Sequence, residues 1–198
     1  MSQKKESKIV NQRERIIKVS SRLMSQKGYK GASLQEIANL VGIHKSTLFH
    51  YFKNKEELLL VVLKISIEEV TENLELILEN EKLSPEEKLR QAIINHLDLL
   101  VRYKDNVIVY HSEIRFLSAK NRRKYIESRK YYASVFKQII DEIKESDSGC
   151  FSGLDTKIVT FGILGMCNWM VKWFKGSGPF NARDIADIFL KMIIPRSL

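Results

Sequence analysis

Residues 33–52, SLQEIANLVGIHKSTLFHYF, constrain the fold more than any other twenty in the chain. Apolar residues recur at helical spacing on both sides of Gly42, and a glycine there lets the backbone turn tightly between two helices. Ser33 can cap the first of them, with Glu36 three residues on completing a capping box. Leu34, Ile37, Ala38 and Leu40 are expected to face inward, and Ala38 is small enough for close helix approach. In the second helix, expected over about His44–Tyr51, Ile43, Leu48 and Phe52 would hold the core. That leaves His44, Lys45, Ser46, Thr47, His50 and Tyr51 on exposed or end positions. Two short helices with such a polar outer face form a helix-turn-helix, whose second helix fits a DNA major groove.

Charge points to the same partner. Residues 1–55 hold 12 Lys/Arg against 3 Asp/Glu, whereas residues 56–198 hold 21 of each. The whole formal excess of +9 therefore sits on the segment with the helix-turn-helix pattern, as a polyanion-binding domain requires.

Elsewhere the periodicity is helical, with no alternating strand run. A first helix is expected from about Val10 to Gln26, closed by Gly28. A connector helix is expected over about 54–80, capped by Asn54 with Glu56 and Glu57 at its positive end. Ser84-Pro85-Glu86-Glu87 opens a helix that runs to about Tyr103. Further helices are expected over about 106–116, 119–145, 155–175 and 182–193, with a loop at Ser146–Gly149 and a break at Gly176–Pro179. The domains expected from this pattern are 1–55, continuing into the connector, and 56–198.

Cys150 and Cys167 have neither CxxC nor metal-ligand spacing, so no disulfide framework, zinc site or other metal site is expected. The N-terminus MSQKKESKIV lacks the apolar core of a secretory signal, which fits a cytoplasmic protein. Ile158–Phe174 is apolar but only 17 residues long and carries Asn168 and Lys172, so it reads as a core or interface helix and not a membrane span. Of the four histidines, His44 and His50 lie in the helix-turn-helix, and His96 and His111 have no Ser, Cys or acid constellation around them in sequence. No GxSxG or phosphate loop occurs, so no enzyme activity or cofactor is expected.

Residues 13–62 resemble the TetR family of bacterial transcriptional regulators. The matching residues are Ile16-Ile17, Gly28-Tyr29, Ser33-Leu34, Ile37-Ala38, Val41-Gly42-Ile43 and the run from Ser46 to Leu58, STLFHYFKNKEEL. The resemblance implies an all-α fold, with a three-helix DNA-binding domain before a helical domain for ligand binding and homodimerisation. It puts Thr47, Phe49, His50 and Tyr51 at recognition-helix positions that meet bases and backbone, with His44 and Lys45 at variable ones. It puts Lys55 at the start of the fourth helix, where lysine and helix N-terminus clamp a phosphate. Ser33, Ser46 and Lys53 complete the candidate DNA-binding set. For His50 and Tyr51 the alternative is packing between helices three and four.

Residues 110–190 resemble the subgroup of that family which controls fatty-acid and related acyl catabolism. The resemblance rests on Glu113-Ile114-Arg115-Phe116-Leu117, Arg129-x-Tyr131 and Asn168-Trp169-x-x-x-Trp173 before Gly178. It implies an acyl-coenzyme A effector and gives Arg115, Phe116, Met166, Asn168, Trp169, Lys172 and Trp173 as candidate ligand-binding residues. Trp169 and Trp173 share a helix face and, with Phe116, Met166 and Met170, are candidates to wall an apolar cavity, with arginines at its mouth. The alternative for both tryptophans is core or dimer interface, which Gly162 and Gly165 favour by allowing close backbone approach. The function expected is a repressor released by a small molecule from a near-palindromic double-stranded operator. Alternatives are a regulator answering another hydrophobic or aromatic ligand, as multidrug-efflux repressors do, a non-specific DNA-binding protein, or an enzyme acting on acyl thioesters.

Overall fold

The computed structural model describes residues 2–146, 149–174 and 177–194, with side chains from residue 11 onward. Asp147, Ser148 and Gly176, expected in interhelical breaks, and Lys175, expected at the end of the helix before the second break, lie outside the described residues. Among the described residues nine α-helices follow in order: α1 Ser2–Gly31, α2 Leu34–Val41, α3 Lys45–Leu48, α4 Lys55–Leu78, α5 Pro85–Arg102, α6 Lys104–Glu113, α7 Ala119–Glu145, α8 Thr156–Trp173 and α9 Ala182–Ile193. A 3-10 turn, Ile114–Phe116, follows α6. No strand occurs among the described residues.

Several boundaries differ from the sequence expectation for local reasons. α1 begins at Ser2, not near Val10, because residues 2–10 contain neither glycine nor proline to stop it. Its regular geometry breaks at Gly28 (φ 71°, ψ 166°), after which one more turn runs to Gly31. α3 spans only four residues. Phe49, His50 and Tyr51 continue it with N–H bonds to the third residue back, the tighter 3-10 pattern common at helix ends.

The chain divides into two compact units, Met1–Ser66 with Asp105–Glu127, and Ile67–Lys104 with Ser128–Leu198. α6, the 3-10 turn and the start of α7 thus join the first unit, in addition to the segment 1–55 expected from sequence.

In the first unit α2 packs on α1 and α3. Ile16, Ile17, Leu23, Met24, Ile37, Ala38, Val41, Leu48, Phe52 and Leu58 are buried. Leu40 corrects the expectation: it is 55% exposed, since the inward stripe of α2 is Leu34, Ile37, Ala38 and Val41 at i, i+3, i+4, i+7. Asp105–Glu127 is tied on by polar contacts. Buried Asn106 accepts from Ser21 Oγ at 2.8 Å and donates to the Val62 carbonyl at 2.6 Å. The buried Glu113 carboxylate accepts from the Tyr29 N–H at 2.9 Å, beside Gly28. Glu56 accepts from the Ser118 N–H (2.9 Å) and Asn121 Nδ2 (2.6 Å), and those bonds, that to Ser118 first, lower its carboxyl pKa.

In the second unit α5 packs against α8 and α9. Ser84 caps α5 through the Glu87 N–H, with Pro85 in the first turn where its missing N–H is harmless. Asn181 and Asp184 form a capping box on α9. Arg90 grips Asp187 in a two-pronged ion pair, Nε–Oδ1 2.6 Å and Nη2–Oδ2 3.2 Å. α8 buries Thr160, Ile163, Leu164, Cys167 and Met170 and presents Ile158, Phe161, Trp169 and Trp173 outward. It is apolar on both faces, which explains its near-continuous hydrophobic sequence. No described helix is long and apolar enough to cross a membrane.

Candidate nucleic-acid interface and effector residues

The turn that presents α3 is built from backbone bonds. Gly42 adopts φ 76°, and a Cβ there would meet nothing within 4 Å, so backbone geometry and not crowding selects glycine. The Gly42 and Ile43 N–H groups bond to Asn39 and Ala38 carbonyls, closing α2. Ser33 accepts from the Glu36 N–H at 3.0 Å, while the Glu36 carboxylate reaches Lys27 Nζ at 2.5 Å.

α3 and the turn after it hang on Leu48 and Phe52, both buried. His44 occupies the N-cap position without a side-chain cap bond, so its ring is not committed to the helix. Ser33, His44, Lys45, Ser46, Phe49, His50 and Lys53 are exposed, and Thr47, Tyr51 and Lys55 are half-buried. Between Glu36 and Glu56 the chain has no acidic residue at all. Nine of the ten sequence-derived residues thus lie in the acid-free stretch 37–55, and Ser33 lies just before Glu36.

Lys55 is more tightly held than its position suggested. Its Nζ lies 4.6 Å from the Tyr29 ring centroid and 3.4 Å from the Lys30 carbonyl, and burial lowers its pKa. Asn54 caps α4 through the Glu57 N–H at 2.8 Å, and the Glu57 carboxylate accepts from the Lys53 N–H at 2.6 Å. These bonds order the junction between the recognition turn and α4.

The seven effector candidates divide between the two units. Arg115 and Phe116 belong to the first unit, where Phe116 stacks on Tyr29 with centroids 5.2 Å apart. The other five lie on α8 in the second unit. Trp169 (65% exposed), Trp173 (48%) and Lys172 face outward, and Met166 and Asn168 are half-buried. The tryptophans share a face, as their spacing requires, and are exposed, whereas Met170 on the same helix is buried. An open groove of about 850 Å³ between α5 and α9, lined by Ser84, Glu87, Arg90, Asp187 and Lys191 among others, contains none of the seven.

Sequence reads His96 as a lone core or pocket histidine, and the structure buries it in the second unit. His96 bonds through Nδ1 to the Tyr132 hydroxyl (2.8 Å) and through Nε2 to Asn168 Oδ1 (3.1 Å). Asn168 Oδ1 can only accept, so Nε2 carries the proton and Nδ1 accepts from Tyr132. Burial pushes the His96 pKa down to about 4, against the opposing Asn168 bond and helped by Arg129. Burial also pushes the Cys167 thiol up to about 12, which makes it unreactive. The partners of His96 are 36 and 72 residues away, beyond any local sequence signal.

Two family descriptions match the chain: "Bacterial regulatory proteins, tetR family" over residues 16–62, and "Tetracyclin repressor-like, C-terminal domain" over residues 82–195. The HTH-type transcriptional repressor KstR2 of Mycolicibacterium smegmatis is 24% identical over 191 residues, 95% of this chain and 91% of that protein. AibR, solved with isovaleryl coenzyme A and operator DNA, is 28% identical with TM-score 0.78, covering 93% of this chain and 98% of AibR. The regulator FadR of Bacillus subtilis, solved with stearoyl-CoA, is 25% identical with TM-score 0.75, covering 92% and 97%. With both of its segments matched and a helix-turn-helix held on a buried apolar base, this chain belongs to the TetR family of bacterial transcriptional regulators.

Proposed function

We propose that this protein is a homodimeric cytoplasmic repressor that binds a near-palindromic operator through α3 and the turn after it, and that an acyl-coenzyme A thioester releases it. One observation carries the DNA-binding part: an acid-free, largely exposed polar surface over residues 37–55, anchored by Leu48 and Phe52. Thr47, Phe49, His50 and Tyr51 meet bases and adjoining backbone, Lys45 and Lys53 neutralise phosphates, and Lys55 contributes a cation at the start of α4. The role is one of binding and not of catalysis, and His96 is engaged on both ring nitrogens in support of the fold.

Dimerisation through α8 and α9 is supported by their uncovered apolar side chains, Ile158, Phe161, Trp169, Trp173, Ile188 and Met192. Gly162 and Gly165 have open space where a Cβ would be, which leaves room for a second helix to approach. A two-fold dimer sets its recognition helices about one DNA turn apart, roughly 34–36 Å. The acyl-coenzyme A part is supported by AibR and FadR, which were solved with coenzyme A thioesters of a short and a long acyl chain. By linkage, an effector that weakens operator binding is itself bound more weakly by the operator complex.

Two measurements test this. Titration against near-palindromic duplexes from the DNA beside its own gene should give tight, salt-sensitive binding to one of them; equal affinity for random duplex would reject the repressor reading. Thermal shift against acyl-coenzyme A esters of graded length should raise the melting temperature for some chain length. No stabilisation by any ester would remove the acyl-coenzyme A effector and leave the DNA-binding reading standing.

A further inference from the structure

The Tyr29–Phe116 stack in the first unit is ringed by cations. Lys55 Nζ lies 4.6 Å from the Tyr29 centroid, and Lys30 Nζ (5.6 Å) and Arg115 Cζ (5.1 Å) lie against Phe116. Each contact is a cation over a ring face, worth little at an exposed site. Among the described residues none of these three cations makes an ion pair. The two neighbouring carboxylates are committed elsewhere: Glu113 to the Tyr29 N–H, and Glu56 to Ser118 and Asn121. The turn that bears Arg115 is held in shape, since Arg122 Nη2 donates to the Arg115 carbonyl at 3.1 Å and Leu117 is buried beneath it. Three cations gathered on two rings outnumber the two neighbouring carboxylates, which are already engaged by neutral donors, and the surplus positive charge suits an external polyanion.

The unit's balance indicates which one. Met1–Ser66 with Asp105–Glu127 holds 18 Lys/Arg and 8 Asp/Glu, a net of +10, leaving the rest of the chain with 15 and 16, a net of −1. The segment that carries Arg115 thus adds positive charge to the DNA-binding unit, not to the effector-binding one. We propose that Arg115, with Lys30 and Lys55 around the Tyr29–Phe116 stack, is a phosphate-binding cluster that holds the DNA backbone outside the recognition helix. Arg115 presents a guanidinium fork suited to two phosphate oxygens, Lys30 and Lys55 act as point charges, and the rings keep the cations from folding away. The inference rests on the DNA-binding reading above and moves Arg115 from the effector to the operator.

The test compares full-length wild type with Arg115→Gln, Arg115→Lys and Lys30→Gln. Binding is measured between 50 and 200 mM KCl to a duplex selected by the wild type and to a random-sequence duplex. Arg115→Gln and Lys30→Gln should each weaken both duplexes alike, by roughly three- to tenfold, and lower the salt slope by about one, while Arg115→Lys keeps the slope. Wild-type affinity and slope in both Gln variants, at an unchanged melting temperature, would overturn the proposal. A parallel titration with coenzyme A separates the other source of phosphate: weakening there, with DNA binding intact, would assign the cluster to the nucleotide and overturn the DNA role. Failure of the wild type itself to bind any duplex would overturn the parent reading.

Discussion

Single residues divide here between those that meet a partner and those that hold the shape. Tyr51 is half-buried, sits one residue before the buried Phe52, and accepts no structural duty among the hydrogen bonds of its side chain that are described. Tyr51→Ala should therefore cost about tenfold or more in operator affinity, at an unchanged far-ultraviolet circular dichroism spectrum, as a gel-shift titration would read. His96 is the opposite case. Its folded pKa of about 4 lies below the ordinary value of 6.5, so the unfolded chain binds more protons between those values. Stability then falls as pH drops from about 6.5 to 4, and it is complete above 6.5. His96 alone accounts for up to about 3 kcal/mol of that loss. Urea unfolding at pH 7 and pH 4.5 should show a smaller drop for His96→Gln than for wild type; an equal drop would mean the imidazole is not held neutral.

At the scale of elements, the short helices depend on their ends more than their lengths. α3 has four residues, too few for helix propensity to matter, so Gly42 and the buried Leu48 and Phe52 decide where it points. Gly42→Ala keeps every contact, because the Cβ would enter open space, yet it forces an L residue to φ 76°. A loss of about 1–2 kcal/mol in denaturant unfolding is expected. Helix ends were largely legible in sequence: Ser84-Pro85, Asp155 and Asn181 all cap where their residue types place them. Leu40 was not, since in an eight-residue helix one apolar position off the stripe looks like another until the neighbouring helix is seen.

For the whole molecule, the uncovered apolar stripe on α8 and α9 is the proposed dimer surface. Phe161→Glu, which puts a charge at the middle of that stripe, should shift sedimentation from dimer to monomer. Palindrome affinity should fall with it while half-site affinity holds, since the substitution leaves the first unit unchanged. A variant that remains dimeric would place the interface elsewhere.

The sequence by itself determined the all-helical class, the recognition segment and the family, because those are local: periodicity, caps, one glycine and a run of thirteen residues. The charge split was equally legible, being a count. Tertiary structure alone decided that residues 105–127 pack with the DNA-binding helices, through Asn106, Glu113 and Glu56, whose partners lie 44 to 85 residues away. It alone turned Trp169 and Trp173 outward, since a helix apolar on both faces does not say which face is inner. Local spacing records what a residue can do within its own helix. Which surface it meets is set by the packing of helices far apart in the chain.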